Sequence, residues 1–223
     1  MKNPGSRKRS SEGTFFWISF SDLMTTLAIL FMFMVASSLL EIHAEQEQRN
    51  VIKKQIVEDL VDKLGQKYPV EIERQTGAIT ISDGILFGFD ETSLTEQGKE
   101  FLKGFVPDYT DILLSNEKNR EYVAQVIVEG HADNVGSYEI NMEKSLGRAY
   151  TVAAYIFNQN EFPGFPYREN LKAILTANGR SNMDQKETAE LSRRVEFKFR
   201  LKDWDLMNTK IGAEFLGAIE NGI

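Results

Sequence analysis

Residues 14–40 read TFFWISFSDLMTTLAILFMFMVASSLL, a run with one charge in it, Asp22. At about 1.5 Å of rise per residue, the helix from Phe15 to Leu40 would reach about 39 Å, against about 30 Å of bilayer hydrocarbon. The run therefore predicts a single tilted membrane-spanning helix over 14–40. Before it, residues 1–13 carry Lys2, Arg7, Lys8 and Arg9 against Glu12; after Leu40 the chain sums to −9. Basic flanks stay on the cytoplasmic side. The expected placement is the bacterial inner membrane, with the N-terminus cytoplasmic and the C-terminal domain periplasmic. A cleavable leader ending near Ala36, Ser37 and Ser38 is the competing reading. Against it, 23–40 is uncharged over a stretch longer than the usual apolar region of about 7–15 residues.

The whole chain has 223 residues, a net charge of −7, no cysteine and two histidines, His43 and His131. Zero cysteine excludes disulfide staples, thiolate catalysis and iron–sulfur ligation, and two histidines make a histidine-rich metal centre an unfavourable expectation. At 42% hydrophobic and 26% charged residues, the chain is neither disordered nor fibrous. No nucleophile–base pair and no glycine-rich phosphate loop is evident. No enzyme activity, no cofactor and no direct nucleic-acid contact are expected.

Asp22 sits in the cytoplasmic third of the span beside Ser21, Thr25 and Thr26. An acid at membrane depth costs about 2.5–3.5 kcal/mol on insertion scales. It must meet a partner, line a wet cavity or hold a proton, and desolvation moves a carboxyl group toward loading and releasing one. A single span encloses no pore, so an ion-carrying Asp22 requires another membrane subunit. The bland alternative is a structural hydrogen bond to a neighbouring helix.

The run Trp17-Ile18-Ser19-Phe20-Ser21-Asp22-Leu23-Met24-Thr25 resembles the B subunits of ion-driven stators of the MotB type. The resemblance implies that Asp22 is the ion carrier, with Ser21 and Thr25 as polar neighbours. It also implies two copies of the chain inside a ring of five copies of a multi-span MotA-type partner. The transported ion would be H⁺, with Na⁺ the alternative.

Residues 41–65 carry Ile52, Ile56, Leu60 and Leu64 four apart, with Val57 and Val61 alongside. That spacing gives an amphipathic helical linker with one apolar stripe. The stripe either lies on its own domain or pairs two copies; both readings stay open, and Gly65 is the expected helix stop. Over 66–202 the pattern becomes mixed. Residues 70–73 and 78–82 suggest a hairpin around Gln75-Thr76-Gly77, 84–90 a loop or strand, and 94–114 a helix containing Pro107. Strand character follows at 123–129, helix at 138–158, a third strand region at 171–177, and strict alternation at 194–201. The predicted fold is an α/β sandwich of βαβαββ type with its helices on one face. Residues 203–223 are left as a C-terminal tail.

The sandwich region resembles the OmpA-type C-terminal domain that binds peptidoglycan. The carrying residues are Gly130-His131-Ala132-Asp133, then Asn141, then Ser145-Leu146-Gly147-Arg148-Ala149, and finally Gly179 and Ser192-Arg193-Arg194-Val195-Glu196. Ala132 stands where the family has a hydroxyl residue. The resemblance implies that Asp133 receives the ammonium of diaminopimelate in the wall peptide. Arg148 would grip its carboxylate with two parallel hydrogen bonds, and Asn141 would shape the loop between them. Arg194 is expected to form a strand-edge ion pair with an acid such as Glu129, and His131 to be a strand-end surface residue.

A membrane acid and a wall anchor in one chain suggest a stator subunit held still while ions pass. The run from Phe16 to Asp22 and the compact ending look more similar to the B subunit of the Zorya anti-phage system than to flagellar B subunits. A flagellar stator B subunit is the alternative output, and a passive peptidoglycan tether is the alternative of another class.

Overall fold

The computed structural model describes residues 9–202, with side chains from Phe16 onward. Most of the expected basic tail, and the whole tail 203–223, lie outside the described residues. The chain divides into a helical unit ending at Glu47 and a compact unit from Gln48 to Asp203.

Helix α1 (Arg9–Lys63) takes in the expected span and most of the expected helical linker. Up to Glu47 its large apolar side chains, from Phe16 and Trp17 to Leu39 and Leu40, are exposed. Among the described residues this is the one helix long and apolar enough to cross a membrane. A helix suits that setting because it satisfies its own backbone polar groups.

Within the compact unit, the apolar stripe at the end of α1 is buried. Ile52, Ile56, Val57 and Leu60, followed by Leu64, belong to the core of the domain. Of the two readings left open for this stripe, packing on its own domain accounts for it. Gly65 stops the helix: its N–H returns to Leu60 and Val61 carbonyls at 3.3 and 3.2 Å.

The α/β domain opens on the hairpin β1 (Glu71–Ile72) and β2 (Ile79–Ser82). Gly77 makes the turn at φ 76°, a left-handed conformation that glycine adopts without strain. The single turn α2 (Asp83–Leu86) comes next, where the sequence suggested loop or strand. Helix α3 (Glu96–Leu114) starts on Thr95, whose side chain accepts the Gly98 N–H, and accommodates Pro107 internally. Then come α4 (Glu117–Tyr122), β3 (Val123–His131) and α5 (Tyr138–Phe157). The chain finishes with α6 (Arg168–Ile174), β4 (Leu175–Gly179), α7 (Ala189–Ser192) and β5 (Arg194–Leu201). The strand expected at 171–177 is thus half helix. Leu171 and Ile174 are one helical turn apart, and a short apolar run fits either period.

The sheet order is β1-β2-β5-β3-β4, with only β3 and β4 parallel. Strand β5 is central, paired with β2 on one side and β3 on the other. Its odd positions Val195, Phe197, Phe199 and Leu201 enter the core. There the Phe197 ring meets Phe105 and Tyr109 of α3 edge-on at 5.2 and 5.6 Å. Each fully buried aromatic or aliphatic side chain of this kind contributes about 1.5–3 kcal/mol. The even positions face a groove of about 1110 Å³ lined by Thr80, Ser82, Arg194, Glu196, Lys198 and Arg200, among others.

Candidate functional site

On α1, Asp22 is exposed. The Thr25 hydroxyl donates to the Ser21 carbonyl at 2.8 Å and the Thr26 hydroxyl to the Asp22 carbonyl at 2.9 Å. Both threonine hydroxyls thus stay with their own helix, which leaves the Asp22 carboxylate outward on an apolar surface. Ser21 and Thr25 share its turn of helix.

The second cluster gathers where β3 ends. Gly130 permits it: a Cβ there would lie 2.0 Å from the Ser145 carbonyl oxygen, so only glycine lets α5 approach the strand. That approach brings Ser145 against β3 and lets its hydroxyl accept the Ser181 N–H at 3.0 Å. The Asp133 Oδ1 accepts the Val135 N–H at 3.0 Å, a local turn, and Oδ2 accepts from Arg193 Nη1 at 2.7 Å. Asn141, 2% exposed, donates from Nδ2 to the Asp133 carbonyl at 3.2 Å and pins the loop.

Arg148 is not paired with Asp133. Its Nε donates to the Glu91 carbonyl at 3.0 Å and lies 3.1 Å from Asp83 Oδ1. Its guanidinium covers the Phe87 ring at 5.7 Å, and the residue is 2% exposed. Asp83 Oδ2 in turn lies 4.0 Å from Arg193 Nε. The four side chains alternate in charge, Arg148–Asp83–Arg193–Asp133. Burial pushes the Asp83 carboxyl group up, against the pull of Arg148 and Arg193. Of the two arginines, Arg193 is the accessible one, with its side chain 28% exposed. Nearby, the Lys144 ammonium holds Asp90 below the usual carboxylate range.

The expectations for Arg194 and His131 are corrected. Because β5 is central, Arg194 is no edge residue; it is 1% exposed and meets Glu196 at 2.5 Å and Asp184 at 2.6 Å. Glu129 is engaged by Lys198 instead. His131 does end its strand, yet it is 1% exposed. Asp83 and Arg193 complete the cluster without being among the residues expected from the sequence. Arg193 belongs to the Ser192-Arg193-Arg194 motif, which marks it, whereas Asp83 carries no sequence signal.

No protein-family model matches the chain. It is 27% identical over 219 residues to the Zorya protein ZorB of Escherichia coli O139:H28 (strain E24377A / ETEC), covering 88% of this chain and 86% of that protein. The cell wall anchor of the T6SS from Pseudomonas aeruginosa is a structural neighbour at 24% identity and TM-score 0.43, covering 67% of this chain and 99% of that one. The periplasmic domain of Helicobacter pylori MotB (residues 78–256) is another, at 16% identity and TM-score 0.40, covering 68% and 89%. The chain is therefore similar over most of its length to the Zorya protein ZorB, and it comprises one long apolar helix and an α/β domain.

Proposed function

We propose that this chain is the B subunit of a proton-driven stator of the Zorya type, serving anti-phage defence from the inner membrane. Two copies sit within a ring of five multi-span MotA-type subunits. Asp22 takes up and releases the ion on its way inward, with Ser21 and Thr25 beside it. The ion is H⁺, with Na⁺ as the alternative. The chain is a mechanical part, not an enzyme, and uses no cofactor.

The carrying observation is an exposed carboxylate in a helical stretch, 14–40, that is otherwise uncharged, a placement that lipid alone penalises and a wet subunit interface relieves. The α/β domain holds the chain to peptidoglycan. At the end of β3 an acid and an accessible arginine lie in contact, which suits a ligand bearing an ammonium and a carboxylate close together, as diaminopimelate does. Asp133 receives the ammonium and Arg193 faces the carboxylate. Asn141 pins the Asp133 loop from behind, and Arg148 connects to Arg193 through Asp83.

The deciding experiment reconstitutes the chain with its multi-span partner in vesicles and drives proton uptake with a potassium diffusion potential. Asp22→Asn is expected to reduce uptake to the level of empty vesicles while assembling normally. Uptake equal to the wild type would instead support a passive wall tether.

A further inference from the structure

We propose that Glu129, His131 and Glu196 form a site for a divalent cation of the zinc class, with the Lys198 ammonium as the cation that ordinarily holds the seat. The inference is independent of the motor reading. Glu129 and Glu196 are Cα partners across β3 and β5. Two glutamates directly opposite on one face repel unless a cation lies between them. His131, two residues beyond Glu129, falls on the same face.

All three are buried, and one ligand atom from each lies within 4.8 Å of the other two. The His131 Nε2 stands 3.2 Å from Glu129 Oε1 and 3.4 Å from Glu196 Oε2. Among the described residues, neither ring nitrogen makes a hydrogen bond. The imidazole thus faces two carboxylates at ion-pair distance without an aligned hydrogen bond to either, a spacing that calls for an explanation. Ligand atoms about 2.0–2.2 Å from a tetrahedral zinc ion lie about 3.4 Å apart, which matches these gaps. One nitrogen and two carboxylate oxygens, with a fourth position left open, are an ordinary donor set for that ion.

Lys198 Nζ lies 2.5 Å from Glu129 Oε1 and 2.7 Å from Glu196 Oε2, the same two oxygens. It balances the charge of the two carboxylates. Its side chain is 32% exposed, so the flexible stem can turn out toward solvent. Glu196, Lys198 and Asp184 all line the groove on the open face of the sheet, which provides the entry path. Arg194 and Arg180 also face the cluster, at 2.5 Å from Glu196 and 4.0 Å from Glu129, so the incoming cation must displace the lysine rather than join it.

The test titrates Zn²⁺ into the full-length chain in detergent micelles by calorimetry, with Co²⁺ absorption as a second probe. The wild type is expected to bind one ion per chain. Lys198→Met, which removes the competitor and keeps the stem, should bind at least tenfold more tightly, and His131→Gln at least tenfold more weakly. Circular dichroism confirms that each variant is folded. No stoichiometric binding to either the wild type or Lys198→Met would overturn the proposal, as would His131→Gln binding as well as the wild type. If His131→Gln fails to fold, the Lys198→Met comparison decides alone.

Discussion

Asp83 Oδ1 and Arg148 Nε lie 3.1 Å apart, both side chains buried, although 65 positions along the chain would have suggested no connection between a residue opening α2 and one in the middle of α5. The contact makes Arg148 a structural residue first. Replacing it by alanine strips a buried carboxylate of its nearest cation and uncovers the Phe87 ring. Breaking a buried pair from one side costs about 3–5 kcal/mol. Arg148→Ala is expected to lose stability on that scale in denaturant titrations followed by circular dichroism. A loss below about 1 kcal/mol would mean that the pair is solvated in solution.

Asp83 also carries a pH signature. Its carboxyl group is raised above the ordinary value of 3.8, chiefly by burial. The folded state therefore binds the proton more readily than the unfolded state. As pH falls from neutral through the raised value, the wild type should gain stability relative to Asp83→Asn. The gain levels off below the unfolded value. Using the difference between the two proteins cancels the acids whose behaviour runs the other way. A difference that is flat from neutral to pH 4, measured by parallel urea titrations, would contradict the burial argument.

Gly130 offers a packing test. With the Ser145 carbonyl oxygen only 2.0 Å from where a Cβ would stand, Gly130→Ala forces α5 away from β3. Overpacking of this kind costs about 1–3 kcal/mol. Since Arg148 rides on α5, the variant should also lose wall binding in sacculus co-sedimentation. Gly164→Ala, which meets nothing within 4 Å, serves as the control and should change neither.

Strand β5 and helix α5 were legible because a period of two or of about four, repeated over several turns, needs no knowledge of neighbours. The boundary of α6 was not, since the short apolar run around Leu171 and Ile174 suits helix and strand alike. Asp133, Arg148 and Asn141 stand out by motif; the structure sets Asn141 against the Asp133 carbonyl and pairs Arg148 with Asp83. What spacing could not reveal is who pairs with whom. Arg148 meets Asp83, from a turn that carries no motif, and Asp133 meets Arg193, from the far end of the domain. His131 likewise reads as a surface residue until the register sets Glu129 opposite Glu196 and Asp184 comes within 3.9 Å of the ring.

The pairing of Asp133 with Arg193 leads to the sharpest question about wall recognition. If the ligand carboxylate takes the accessible guanidinium, it must reach Arg193, whose Nη1 now lies 2.7 Å from Asp133 Oδ2. A partly exposed pair of this kind contributes only about 0–1 kcal/mol to stability. Arg193→Ala should therefore stay folded, while its affinity for a diaminopimelate-containing muropeptide falls at least tenfold. Arg193→Lys should recover only part of the loss, because an ammonium keeps the charge but not the two-pronged geometry. A muropeptide with the side-chain carboxyl of diaminopimelate amidated should bind the wild type and Arg193→Ala alike, since the group that Arg193 grips is already neutral. Calorimetric titration of the full-length chain in micelles measures all three. If Arg193→Ala binds the unmodified muropeptide as tightly as the wild type, the carboxylate grip belongs to Arg148, and the loop bearing Glu91 must open to admit it.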